Sequence, residues 1–142
     1  VNDKLLIAAD LQYVLWSAYE ELNFEFEAET VPDSKNVRNF KNTLIYRIGA
    51  EYALNSFVSG RAGFAWDTTP IPKDYLTPET PGANKLNYTL GLSFRFSENV
   101  SLDTSLQFIC AMEREDGYAP ANFYGTYNTN AVIPGFGLNI SF

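Results

Sequence analysis

The side chains that most often carry reaction chemistry are scarce in this sequence. It holds no histidine and a single cysteine, Cys110. Without imidazole, the commonest general base and metal ligand is missing. One thiol supports neither an internal disulfide nor a thiolate cluster, and Cys110 reads as a small buried or lipid-facing residue. Ser101 and Ser105 flank Asp103, but with no His or Lys partner to activate them they read as polar wall groups. Glu113-Arg114-Glu115-Asp116 offers the oxygen ligands a divalent cation takes. Its simpler reading, shared with Asp74 and Glu79, is a solvated loop. No catalytic constellation, cofactor site or metal site is predicted. What stands out is a set of both signs, Asp10, Arg47, Glu51, Arg61, Arg95 and Asp103, which reads either as a ladder of ion pairs or as a field that steers an anion.

The elements that would position this set have a period of two. In residues 85–96, Leu86, Tyr88, Leu90, Leu92, Phe94 and Phe96 fall on one face; Lys85, Asn87, Thr89, Gly91, Ser93 and Arg95 fall on the other. Residues 43–53, 58–67 and 100–112 alternate in the same way, and so does a run from about 125 to 142 that Pro134 interrupts. Pro134 predicts a local bulge or a lost ladder bond. A longer first segment, residues 4–26, changes faces between Ser17 and Leu22, as one extra residue near Glu20–Glu21 would make it do. The reading is six antiparallel strands and no helix. Connections alternate strictly in length: residues 53–57 and 96–100 are tight turns, whereas 27–40, 68–84 and 113–123 are long. The four prolines of 68–84 predict a stiff, folded loop, whose Ile71, Tyr75 and Leu76 would form either an outer collecting surface or a cap on the rim.

Composition bounds the class. The chain is 142 residues long, 46% hydrophobic and 15% aromatic, too rich in large side chains for disorder. A formal net charge of −7 excludes the basic footprint of a nucleic-acid-binding protein. No stretch approaches the roughly 20 apolar residues of a membrane helix, but membrane strands are short and alternating. Sorting of short and long connections to opposite ends is the habit of transmembrane barrels. The apolar face is almost free of charge, as lipid requires, and its aromatics gather near strand ends (Tyr52, Phe57, Phe94, Phe96; Phe24, Phe26, Phe64, Trp66) as girdles would. The charged face would then be a hydrated lumen, with Asp10, Arg47, Glu51 and Asp103 as polar pairs. Val14, Trp16, Ile45, Ile109 and Ile133 interrupt that face and are candidates for an apolar track, or for packing under a plug. A secreted all-β domain with a Tyr/Phe core is the competing reading.

Particular residues carry a resemblance. Asp10-Leu11-Gln12-Tyr13-Val14-Leu15-Trp16-Ser17 with Glu21-Leu22, then Asn42-Thr43 with Tyr46-Arg47-Ile48-Gly49-Ala50-Glu51-Tyr52, resemble consecutive strands of the long-chain fatty acid outer-membrane transport family (FadL/TodX-like). Arg61-Ala62-Gly63-Phe64-Ala65-Trp66-Asp67-Thr68-Thr69-Pro70-Ile71-Pro72 is the most specific match. Thr77-Pro78, Pro81, Leu90-Gly91-Leu92-Ser93 and Ser101-Leu102-Asp103 follow in family order, so the resemblance covers essentially residues 1–142. It implies a 14-stranded up-and-down transmembrane β-barrel in the bacterial outer membrane, of which this chain supplies the last six strands. The family's N-terminal hatch, its Asn-Pro-Ala signature and its kinked third strand have no counterpart here. It also implies passage of fatty acids or other hydrophobic molecules without a cofactor, with Arg61 or Arg95 attracting a carboxylate. Outer-membrane lipid would cover the apolar face, and the strand ending on Phe142 would engage the barrel-assembly machinery. A general hydrophilic porin, a structural barrel and a soluble lipid-binding β-domain remain the alternatives.

Overall fold

The structure, a computed structural model, describes residues 4–27, 33–80 and 82–142, with Ser34 and Lys35 described in backbone only. Ten strands follow in chain order: β1 (Leu5–Val14), β2 (Glu21–Phe24), β3 (Ser34–Val37), β4 (Thr43–Ala53), β5 (Val58–Asp67), β6 (Lys85–Arg95), β7 (Val100–Ala111), β8 (Arg114–Tyr118), β9 (Phe123–Tyr127) and β10 (Asn130–Ile140). Six of them form one sheet in the order β1-β4-β5-β6-β7-β10, every neighbouring pair antiparallel. The other four make two small hairpins, β2–β3 and β8–β9. No α-helix occurs among the described residues; two three-residue 3₁₀ turns, Trp16–Ala18 and Ala119–Ala121, are the nearest to one.

The six long strands run 10 to 12 residues, the length at which a tilted strand crosses a hydrocarbon core. Their register is unbroken, so the alternation read from the sequence becomes two continuous faces. One row across the sheet is Ala50, Ala62, Leu90, Leu106 and Pro134. The row beside it, on the opposite face, is Glu51, Arg61, Gly91, Ser105 and Gly135. Pro134 does not bulge the strand: it sits opposite Leu106 in a register that is continuous from Asn130 to Ile140. β10 is an edge of the sheet, and a proline is tolerated there because one side of an edge strand has no neighbour within the sheet to receive its N–H.

The tight turns are where they were expected. Asn55 Oδ1 accepts the backbone N–H groups of Phe57 and Val58, each at 2.8 Å, an Asx turn that reverses the chain into β5. At the second, Phe96 N–H donates to Val100 O at 2.9 Å. Asn99 then ties down the last residues, accepting from Ser141 N–H at 2.9 Å and donating through Nδ2 to Ser141 O at 3.0 Å. Both turns and the end of β10 lie at one end of the sheet. All three long connections lie at the other.

Two expectations are corrected at that second end. No bulge carries the first strand through Glu20–Glu21. β1 stops at Val14, the 3₁₀ turn at Trp16–Ala18 lifts the chain out of the sheet, and β2 pairs with β3 instead. The turn is held by Ser17 N–H to Asn42 Oδ1 at 2.9 Å and by the Trp16 and Tyr19 rings, both edge-on to Phe40. Residues 113–123 are not a plain loop either, since they supply β8 and the start of β9, and the last long run is split, with β10 beginning only at Asn130.

Burial is distributed as a membrane wall requires. The buried hydrophobic residues among those described are Ile71, Leu76 and Ala83, all in the 68–84 connection and none in the six-stranded sheet. That connection is the folded loop its prolines predicted, but Ile71 and Leu76 are its core and not a collecting surface. On the sheet's apolar face, by contrast, Leu90 is 57% exposed and Phe136 81%. Two aromatic belts mark the ends of that face: Tyr46 stacked on Trp66 at 5.6 Å with Phe64 beside Tyr88, and Phe57 against Phe94 and Phe96 at the tight-turn end.

Leu90, in the middle of β6, therefore gives a direct test of orientation. In a complete barrel carrying this segment and refolded into lipid vesicles, Leu90→Arg is expected to cost about 2–4 kcal/mol by denaturant titration. Thr89→Arg, one residue along on the other face, is expected to cost well under half as much. Equal costs would mean that the two faces do not see lipid and water respectively.

Candidate functional site

The charged face is a wall of paired groups. Opposite one another on β1 and β4, Asp10 accepts from Arg47 Nη1 at 2.6 Å, while Arg47 Nη2 donates to Gln12 Oε1 at 2.9 Å. A larger network begins at Glu51 on β4, which accepts from Arg61 Nε on β5. Arg61 Nη1 donates onward to Asp103 on β7 at 3.1 Å. Asp103 also accepts from Ser93 of β6 and from Asn139 Nδ2 of β10 at 2.7 Å. Five strands are thus tied by side chains on one face.

Arg61 and Asp103 are not on neighbouring strands. β6 lies between them, so the guanidinium crosses a gap of about 9–10 Å, two strand spacings. The residue beneath the crossing is Gly91, opposite Arg61 in register. A Cβ at Gly91 would lie 3.7 Å from Arg61 Cβ and 3.2 Å from the Thr104 carbonyl oxygen, so any side chain there competes for the path. With Arg61 47% exposed and Asp103 34%, each pair contributes only about 0.2–1 kcal/mol. The geometry matters more than the energy: Arg61 is committed to two carboxylates.

The other predicted residues are not gathered together. Val14 and Ile45 are diagonal neighbours across β1 and β4, and Ile109 and Ile133 across β7 and β10. β5 and β6 separate the two pairs, which therefore form two small apolar patches and no single track. Trp16 has left the sheet for the 3₁₀ turn, where it packs on Phe40. Arg95 is exposed at the tight-turn end and has no ion pair among the described residues. Phe142 is fully exposed at the same end.

The carboxylate run reads differently in three dimensions. Asp116 is buried, its side chain 3% exposed, and Arg114 holds it through Nε at 2.9 Å and through Nη2. Arg114 also donates to Gly82 O at 2.9 Å and Pro72 O at 3.0 Å. Asp116 accepts from the backbone N–H groups of Asp74 at 2.9 Å and Gly117 at 2.8 Å. With Leu76 N–H to Gly117 O and Ala119 N–H to Asp74 O, these bonds fuse the 68–84 connection and the β8–β9 hairpin into one rim. Among the described residues no cluster of acids suits a metal ion, and the solvated-loop reading of Asp116 is wrong because its neighbours supply a complete set of donors. Burial disfavours its charged form, but the Asp74 and Gly117 N–H groups and Arg114 outweigh that and hold its carboxyl below its ordinary value.

Arg38 is the residue that sequence reading missed. Its side chain is only 7% exposed, yet its one ion-pair contact among the described residues is Glu79 at 4.0 Å, itself 79% exposed. The guanidinium lies 5.8 Å from the centre of the Tyr19 ring, and the Tyr19 and Trp16 rings meet Phe40 at 5.8 and 6.2 Å. Arg38 Nε is buried without a partner. The available signal was a cation two residues before an aromatic, Val37-Arg38-Asn39-Phe40, at the lip of a strand; nothing in that spacing announces burial.

A family described as "Outer membrane protein transport protein (OMPP1/FadL/TodX)" matches residues 1–142. Among curated relatives, "Alkane uptake protein A" of Marinobacter nauticus is 30% identical over 80% of this chain and 27% of its own length. "Long-chain fatty acid transport protein" of Escherichia coli O6:H1 is 24% identical over 70% of this chain and 22% of its own length. The chain thus spans about a quarter of the length of these relatives. A crystal structure of a Pseudomonas aeruginosa FadL homologue superposes with a TM-score of 0.75 at 20% identity, over 96% of this chain and 31% of that one, which establishes the barrel fold.

Two outcomes test the site. Gly91→Val is expected to reduce the Arg61–Asp103 coupling in a double-mutant cycle from about 0.2–1 kcal/mol to near zero; an unchanged coupling would show that the crossing does not need the glycine. For the rim, a folded carboxyl held below its unfolded value stabilises at every pH above the ordinary carboxylate range, near ~4, and loses that stabilisation as pH falls through the lower folded value. The rim is therefore expected to resist protease from neutral pH down to about 4 and to open only below it, whereas Asp116→Asn opens it at neutral pH. Opening of the wild-type rim near ~6 would contradict the pairing.

Proposed function

The chain belongs to the outer membrane protein transport family (OMPP1/FadL/TodX), and on that footing we propose that it walls a channel through which long-chain fatty acids or similar hydrophobic compounds enter by diffusion. Membership places it among outer-membrane transport proteins and not among enzymes. The six strands are taken to be the C-terminal part of a larger barrel, since six cannot enclose the lumen of fourteen and β1 and β10 are open edges. Earlier strands would pair with those edges. Outer-membrane lipid would cover the apolar face, and β10 with Phe142 would be what the barrel-assembly machinery grips.

One observation carries the reading: a sheet whose apolar face is bare and whose other face is a wall of mutually satisfied charges. Asp10, Arg47, Glu51, Arg61 and Asp103 are paired within that wall and leave one net negative charge, so it offers a small ion only a weak field. The apolar pairs Val14–Ile45 and Ile109–Ile133 offer a hydrophobic solute contact on either side. A polar lumen also suits a general hydrophilic porin, and the wall by itself does not separate the two.

Binding and flux do. In the complete barrel carrying this segment, saturable binding of a long-chain fatty acid is expected, with little sugar uptake into reconstituted liposomes. Free sugar flux without fatty-acid binding would leave the barrel standing and replace the transporter with a porin.

A further inference from the structure

We propose that Arg38 is the anchor of an anion site on the long-loop rim, that it takes the carboxylate of a single-headed amphiphile, and that Glu79 is the resident counter-ion the ligand displaces. The inference rests on the transport reading and sharpens it, because the relatives are named for both a charged cargo and a neutral one.

Burial of Arg38 carries a cost that its described neighbours do not offset. A guanidinium carries five donors, and no side-chain hydrogen bond from Arg38 is found among the described residues. Its Nε is buried with no partner, and its side chain is 7% exposed. Burying a cation so poorly satisfied is unfavourable, and the Tyr19 ring at 5.8 Å offsets only part of that. Arg114, a half-buried cation of the same rim, shows what satisfaction looks like: it has two carbonyl oxygens and a carboxylate. Among the described residues Arg38 has no comparable set of acceptors.

Among the described residues, the carboxylate paired with Arg38 is a loose one. Glu79 stands 4.0 Å from Nη2, beyond hydrogen-bond range, with 79% of its side chain in solvent. It marks the open side of the guanidinium and is easily exchanged, since an exposed pair at that distance contributes little. An incoming carboxylate can accept two parallel N–H bonds from Arg38. Beside it the edge-to-face rings of Trp16, Phe40 and Tyr19 form a surface for the first methylenes of a chain. One cation beside a loosely held carboxylate matches a monoanionic head better than a dianionic phosphate.

The test compares hexadecanoate with hexadecanol, equal in chain length and different in head charge, on the complete barrel in detergent. Arg38→Gln is expected to weaken hexadecanoate roughly tenfold or more and leave hexadecanol within about twofold. Glu79→Gln, a change at an exposed side chain, is expected to tighten hexadecanoate several-fold without touching hexadecanol, and Arg38→Lys to recover part of the loss. Equal effects of Arg38→Gln on both ligands, or none on either, would overturn the site while leaving the transport reading intact. A Glu79→Gln barrel with unchanged hexadecanoate affinity would remove the exchange. If the wild-type barrel binds neither ligand, the transport reading fails and takes the site with it.

Discussion

A backbone amide in hydrocarbon has no water to bond, so every N–H and C=O in a membrane-crossing segment must find its partner in the protein. That constraint organises the molecule. It accounts for six strands of 10 to 12 residues in an uninterrupted antiparallel register, and for a sheet that holds none of the buried hydrophobic residues among those described. A soluble sheet of this size would need a second layer over its apolar face. Here the apolar rows are left bare, as rows that face a bilayer would be. Where the chain leaves that solvent it needs a core of its own, and Ile71, Leu76 and Ala83 supply one in the rim.

The polar face obeys a related rule at lower stakes. Charges facing a hydrated interior are worth little pair by pair, yet their placement is exacting. Arg61 reaches a carboxylate two strands away only because Gly91 leaves the space between them empty. The same commitment bears on function. A cation already shared between Glu51 and Asp103 is a poor trap for a third carboxylate, so the geometry of Arg61 disfavours the steering role read for it. Among the described residues, Arg95 at one end of the sheet has no ion pair, and Arg38 at the other has only a loose contact with Glu79.

How legible this was depended on distance along the chain. β4, β5, β6 and β7 were readable almost to the residue, because period-two alternation and the turns at Asn55 and Asn99 are local facts. β1 was drawn too long: Leu22, Phe24 and Phe26 alternate as a membrane strand would, and only the docking of Trp16 and Tyr19 on Phe40 shows that the chain has already turned away. The β8–β9 hairpin was invisible because its strands are five residues each and its stabilising partners, Pro72, Asp74 and Gly82, come from a connection some 30 to 40 residues earlier. Gly117 was no better a signal, although a Cβ there would lie 2.1 Å from the Phe123 carbonyl oxygen and the hairpin cannot close without a glycine.

Arg38 failed to declare itself for the same reason, and the failure is informative. Its environment is assembled from Tyr19, Phe40 and Glu79, which no window of sequence contains together. Local reading assigns an arginine beside a loop to solvent, since an arginine is seldom fully buried. Folding buries it and, among the described residues, gives it only a distant counter-ion in Glu79. A chain that can satisfy Arg114 with carbonyl oxygens on the same rim has the means to satisfy Arg38 as well. Leaving it short of acceptors costs stability that a purely structural role would not require, and unspent bonding capacity of this kind is what a binding site needs before its ligand arrives.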